Sequence, residues 1–149
     1  MKQIVTISSS TAPAATLLVR LLVGGIFLSE GIQKFLFPNE LGVGRFLKIG
    51  IPAPHILAPF VGVIEIGCGA LLVLGLLTRL TAIPLIIDML VAISTTKIPM
   101  LLQDGFWKMA HEARTDYAML LGSLFLLIVG AGPWSCDAWL TERRLSRTY

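Results

Sequence analysis

The stretch from Ile56 to Leu77, ILAPFVGVIEIGCGALLVLGLL, decides the fold. Its 22 residues are apolar or small throughout, except for one carboxylate, Glu65, near the centre. About 20 such residues in a helix cross the hydrocarbon core of a bilayer, so the stretch predicts a membrane span with Glu65 near the midplane. A charge at that depth costs about 2.5–3.5 kcal/mol on insertion scales unless it is paired, protonated or in a wet cavity. At helical spacing Ala58, Gly62, Glu65 and Gly69 fall on one stripe. Small residues flanking an acid suit a face pressed against neighbouring helices. Glu65 is therefore predicted to point into a bundle and not at lipid.

Composition outside that stretch agrees. Of the 149 residues, 55% are hydrophobic and 14% charged, with a mean hydropathy of +0.82; an ordinary soluble domain has about 25% charged residues. The chain reads as one all-α domain over residues 1–149, an integral membrane four-helix transmembrane bundle. The net charge of +3 is scattered, as expected of Lys and Arg flanking membrane segments. The partner it implies is the lipid bilayer, and nucleic acid is excluded.

Four spans are predicted, at about 14–37, 56–77, 80–98 and 115–133. The opening MKQIVTISSS is not read as part of a signal peptide, because the apolar stretch after it is too long and carries charges. The first span starts after Pro13, where a helix tolerates proline. It is the least lipid-like, holding Arg20, Glu30, Gln33 and Lys34. Glu30 and Lys34 stand four apart in the order that favours pairing, and Lys34 is equally suited to snorkelling toward the interface. Residues 38–54, PNELGVGRFLKIGIPAP, hold three prolines, three glycines and three charges, and predict a connector outside the membrane core with one interfacial turn. Thr78 and Arg79 make so tight a link that the second and third spans must form an antiparallel hairpin. Pro84 is expected to bend the third span four residues before Asp88. The segment PMLLQDGFWKMAHEA, residues 99–113, is too short and polar to cross and suits an amphipathic stretch at the headgroups. The tail is basic and carries Trp139, with Trp134 just before it.

With four spans both termini share a side. Lys2, Arg79, Arg143, Arg144 and Arg147 then face Arg45, Lys48, Lys97, Lys108 and Arg114, a tie. The concentrated Arg79 turn and Arg-rich tail favour cytoplasmic termini. No internal repeat of the transporter kind is visible.

At about 1.5 Å per residue, Arg20 and Asp88 lie at similar depths from the same side, which predicts a structural ion pair. No cation shares the depth of Glu65. It can reach that inner pair or look outward to Glu30, Lys34 and Arg114. Together with Cys68, one turn away, these make a candidate buried polar site. A buried cysteine is most often a small hydrophobe, with a redox role as the alternative. Cys68 and Cys136 lack CxxC spacing and differ in depth, so no disulfide is expected. His55 and His111 lack the companions of a metal site. No residue is assigned a catalytic role.

Several segments, in order and spacing, resemble the DoxX family of small four-helix membrane proteins. They are RLLVGGIFLSEGIQKF in the first span, GVIEIGCGALLVLGLLTRLTA across the second span and its turn, DMLVA from Asp88, Arg114 with Asp116, and the closing GPWSCD. Where the family pattern closes with GPGR before Ser-x-Asp, this chain has Gly132-Pro133-Trp134 before Ser135-Cys136-Asp137, so the basic position is not retained. The resemblance implies a quinone-contacting or anchoring subunit of a redox assembly, with quinone as the cofactor and a redox partner protein or a homo-oligomer as the setting. It leaves open whether the chain is itself part of an oxidoreductase. A non-catalytic membrane scaffold and a small solute or proton transporter stand as alternatives.

Overall fold

The structure, a computed structural model, describes residues 13–145. The opening MKQIVTISSS with Lys2, and Arg147, lie outside the described residues, as does the side chain of Arg144. Among the described residues there are helices and turns and no strand. In order they are α1 (Thr16–Leu36), α2 (Val43–Lys48), α3 (Pro54–Leu74), α4 (Thr78–Ala92), a π-helical turn (Ile93–Lys97), α5 (Ile98–Asp104), α6 (Phe106–Glu112), α7 (Arg114–Val129) and α8 (Cys136–Leu145).

Among the described residues three helices are long and apolar enough to cross a membrane: Thr16–Leu36, Pro54–Leu74 and Thr78–Asp104. The third is longer than the sequence suggested, because α4 runs through the π-helical turn into α5 and ends 27 residues on. Pro99 accounts for the turn. It cannot donate to the carbonyl four residues back, and its ring crowds that carbonyl, so the preceding turn widens. Ser94, Thr95 and Thr96 stabilise the widened turn by donating their hydroxyls to the carbonyls of Leu90, Val91 and Ala92. The predicted fourth span is not among the three; its helix, α7, has 16 residues, about 24 Å at 1.5 Å per residue. It closes a ring in which α1 packs on α3, α3 on α4, α4 on α7 and α7 on α1.

The closest of these contacts is α1 against α3, and glycine makes it. A Cβ on Gly24 would stand 2.8 Å from the carbonyl oxygen of Gly69, and one on Gly31 would stand 2.7 Å from that of Gly62. The two helices run antiparallel with their backbones in contact at two points seven residues apart, which larger side chains would forbid. The predicted stripe of α3 is therefore the packed one: Ala58, Gly62, Glu65 and Gly69 are all buried. Between the four helices Val23, Phe27, Leu72, Leu85, Met119 and Leu126 form the apolar core.

One end of the bundle is closed by charged groups bound to helix termini. The chain turns from α3 to α4 through Gly75 (φ 67°) and Leu77 (φ 51°), a left-handed turn that leaves end carbonyls and amides without helical partners. Arg20 takes the carbonyls. Its Nε donates to Leu72 O at 3.0 Å and its terminal nitrogens to Val73 O, Ala131 O and Trp134 O at 2.9, 2.9 and 2.7 Å. Asp137 takes the amides, accepting from Leu77 N at 2.8 Å and Thr78 N at 3.1 Å at the positive end of the α4 dipole. Arg79 donates to Ile128 O and Val129 O at the end of α7. The expected Arg20–Asp88 pair is not formed. Equal depth put Arg20 within reach of the α3 terminus as well, and its planar fork of donors reaches two carbonyls there and two more in the segment after α7.

Candidate functional site

At the other end the helices diverge around a cavity of about 530 Å³. Its walls are apolar, from Ile26 and Phe27 on α1, Leu57, Phe60 and Val61 on α3, Met89 and Val91 on α4, and Met119 on α7. The connector between α1 and α3 roofs it with Leu41, Phe46, Ile49 and Ile51. That connector does contain the single short helical turn expected of it, α2, which turns Phe46 inward.

The deep end of the cavity carries three ionisable groups. Lys34 Nζ lies 2.6 Å from Glu65 Oε2, with only 12% and 4% of the two side chains exposed. The Asp88 carboxyl stands within side-chain hydrogen-bonding reach of Glu65. Its Oδ2 is buried. Two carboxyls and one ammonium thus stand together at that end. Farther out, Lys97 joins α4 to α7 by pairing with Asp116 at 3.2 Å and donating to Glu112 O at 3.1 Å. Glu30 and Arg45 line the cavity at exposed positions.

The Lys34–Glu65 pair has a geometric cause. Gly31 faces Gly62, so the Lys34 backbone lies above Glu65 by about two turns. Side chains on a helix tilt toward its N-terminus. On antiparallel α1 and α3 that tilt sends Lys34 down and Glu65 up until they meet. Counting depth by residue number alone overlooks this reach, which is why no cation was assigned to Glu65 from the sequence.

Of the candidate residues, Glu65, Glu30 and Lys34 line the cavity together, and Asp88 joins them in place of its expected role beside Arg20. Arg114 and Cys68 do not line it. Arg114 is exposed and caps its own turn by donating to His111 O. Cys68 packs against the apolar core, as a small hydrophobe does. Arg45, Lys97 and Asp116 are not among the site candidates read from the sequence; the one available signal is that Lys97 and Asp116 flank the connector between the last two predicted spans and Arg45 lies within the first connector.

The family model described as DoxX matches residues 15–98. The chain belongs to the DoxX family. Its matched part contains Arg20, Lys34, Glu65 and Asp88, whereas Asp116 and Asp137 lie beyond it. One relative, "Uncharacterized membrane protein Rv3486" of Mycobacterium tuberculosis (strain ATCC 25618 / H37Rv), is 55% identical over 137 residues, 88% of this chain and 84% of its own length. Another, "Putative oxidoreductase CatD" of Bacillus subtilis (strain 168), is 31% identical over 116 residues, 78% of this chain and 79% of its own. No solved structure matches. For this DoxX-family chain the closing Ser135-Cys136-Asp137 is a structural device. Ser135 Oγ accepts from Ala138 N at 3.1 Å to start α8, and Asp137 caps α4.

Chemically, the cavity suits a flat apolar molecule with a polar edge. Three phenylalanines, Phe27, Phe46 and Phe60, offer ring contacts, and the Lys34–Glu65–Asp88 group offers donor and acceptor atoms in a desolvated setting.

Proposed function

We propose that this protein is a four-span subunit of the bacterial inner membrane, with cytoplasmic termini, that holds a quinone-type ligand for a redox assembly formed with a partner protein or a second copy of itself. The observation that carries the reading is the 530 Å³ cavity with apolar walls and the Lys34–Glu65–Asp88 group at its deep end. Such a site buries an isoprenoid-substituted ring while supplying hydrogen-bond partners to its oxygens. The name of the Bacillus relative supports redox work in the family, and the charge-free run from Tyr117 to Gly132 supports α7 as the fourth span.

The test compares Glu65→Gln with Glu65→Leu in the purified full chain. Gln keeps size and hydrogen bonding and removes the ionisable group, so it is expected to fold normally and to weaken binding of a decyl-substituted benzoquinone. Normal quinone binding by the Gln variant, with misfolding of the Leu variant, would reduce Glu65 to a packing contact and favour the scaffold alternative. Orientation is checked in intact cells by thiol labelling of single cysteines at Glu40, Asp104 and Glu142 in a background free of Cys68 and Cys136. The first two are expected to label from outside and the third not to.

A further inference from the structure

The cavity reaches the surface in two places of different character. Where a residue both lines the cavity and is exposed, the wall is open beside it. Glu30, Arg45 and Thr115 meet that condition on α1, α2 and α7, and they are polar, as the rim of a mouth facing water would be. Phe60 on α3 and Val91 on α4 meet it too, and they are apolar. These two belong to helices that pack on one another, and they lie on the same flank. Phe60 is about 160° around α3 from Gly62, at about 100° per residue, and Gly62 is pressed against α1. Val91 stands one turn from Asp88, whose carboxyl meets Glu65 of α3. Phe60 is five residues outward of Glu65 and Val91 three outward of Asp88, about 7.5 and 4.5 Å along their helices, so the two stand at nearly equal depth. The surface around them is Ile56 and Val63 on α3 and Ile87 and Leu90 on α4, all exposed. A continuous apolar surface of this kind on a membrane span faces acyl chains and not water.

We infer that the cavity opens sideways into the bilayer between α3 and α4, at Phe60 and Val91, and that its ligand carries a long apolar tail that leaves through this opening. The inference rests on the ligand class proposed above and specifies where that ligand enters and how it sits. A volume of about 530 Å³ is of the size that buries a drug-sized molecule. It takes the ring and the first part of a substituent, and the rest of a longer tail has to pass out. A tail sent through the polar mouth would expose its apolar surface to water. Sent between Phe60 and Val91, it stays among acyl chains while the polar edge of the ring reaches the Lys34–Glu65–Asp88 group at the deep end.

The experiment uses the purified full chain in bilayer discs and a decyl-substituted benzoquinone that carries a photoactivated diazirine either at the tail end or next to the ring. Adducts are located by mass spectrometry, and those removed by an excess of unlabelled decyl benzoquinone count as labelling of the site. The tail-end probe is expected to label the outer faces of α3 and α4 near Phe60 and Val91. The ring-side probe is expected to label residues deeper in the cavity, such as Phe27 and Met119. Leu121 and Ile128, exposed on α7, are expected to carry only adducts that excess ligand does not remove. Val91→Trp narrows the opening and is expected to lower the removable tail-end labelling about tenfold. Removable tail-end adducts at Glu30, Arg45 or Thr115 instead overturn the side opening, whether or not the Trp variant folds, and leave the cavity as a ligand site. So does undiminished labelling of a folded Val91→Trp variant. If neither probe gives removable adducts, the inference falls together with the ligand class on which it rests.

Discussion

The two ends of the bundle use buried charge in opposite ways. At the closed end Arg20, Arg79 and Asp137 are bound to backbone groups at a tight turn and at helix termini. At the open end Lys34, Glu65, Asp88, Lys97 and Asp116 face one another around a cavity. A charge bound to backbone has a partner that no substitution can remove. A charge bound to a side chain has a partner that can be removed with it. The first arrangement fixes the turns of the chain, and the second leaves groups whose hydrogen bonds a ligand can share.

The largest expected effect tests the closed end. Arg20→Leu leaves four carbonyls without their donor and should cost about 3–5 kcal/mol, since hydrogen bonds to charged groups are worth more than neutral ones. Unfolding in a denaturing detergent, followed by circular dichroism, reads it, and adding Arg79→Leu should bring a further, additive loss. Parent-like stability of the Arg20→Leu variant would mean that the end is held by packing alone.

Lys34→Met should cost about 3 kcal/mol, because breaking one partner out of a buried pair strands the other. Here the double variant behaves differently. Lys34→Met with Glu65→Leu should regain most of that loss, as apolar replacements of buried pairs commonly do. If the double variant is as additive as Arg20 with Arg79, the contrast between the ends disappears.

Smaller effects sharpen the picture. Asp137→Ala removes the cap at the start of α4 and should cost about 1–2 kcal/mol, with Asp137→Asn recovering part of it. Arg45→Ala, at an exposed position by the cavity mouth, should change stability by no more than about 0.5 kcal/mol. A larger loss in the same unfolding assay would show Arg45 to be a structural contact of the roof.

Much of the bundle was legible because periodicity and small residues report packing directly. The Gly62–Glu65–Gly69 stripe could be read as buried from spacing, and the short turn at Thr78 dictated a hairpin. The partners of the charges were harder to read. Arg20 was matched to Asp88 by depth, yet depth along a helix says nothing about helix termini that compete for the same guanidinium. The tight turn after Leu74, with its orphaned carbonyls, was the available sign. Asp137 was visible only as part of a family pattern, since its capping role requires α8 to fold back onto the α3–α4 turn. The continuation of α4 past Ile98 was hidden because Pro99 normally signals a helix end, and here a widened turn accommodates it.

That widened turn has a consequence for how the chain tolerates changes in length. A π-helical turn holds one residue more than the α-helix around it, so residues 93–97 carry a surplus that an ordinary helix would not contain. Removing one residue there, for example Thr95, would leave everything beyond it facing as it does, whereas straightening the stretch into an ordinary α-helix with all its residues kept would rotate everything beyond it by about 100° about its axis. Lys97 would swing away from Asp116, and the exposed face of α5 with Leu101 and Leu102 would turn with it. The spacing between Asp88 and Lys97 is thus an angular setting: it aims the two ends of one long helix into the same cavity.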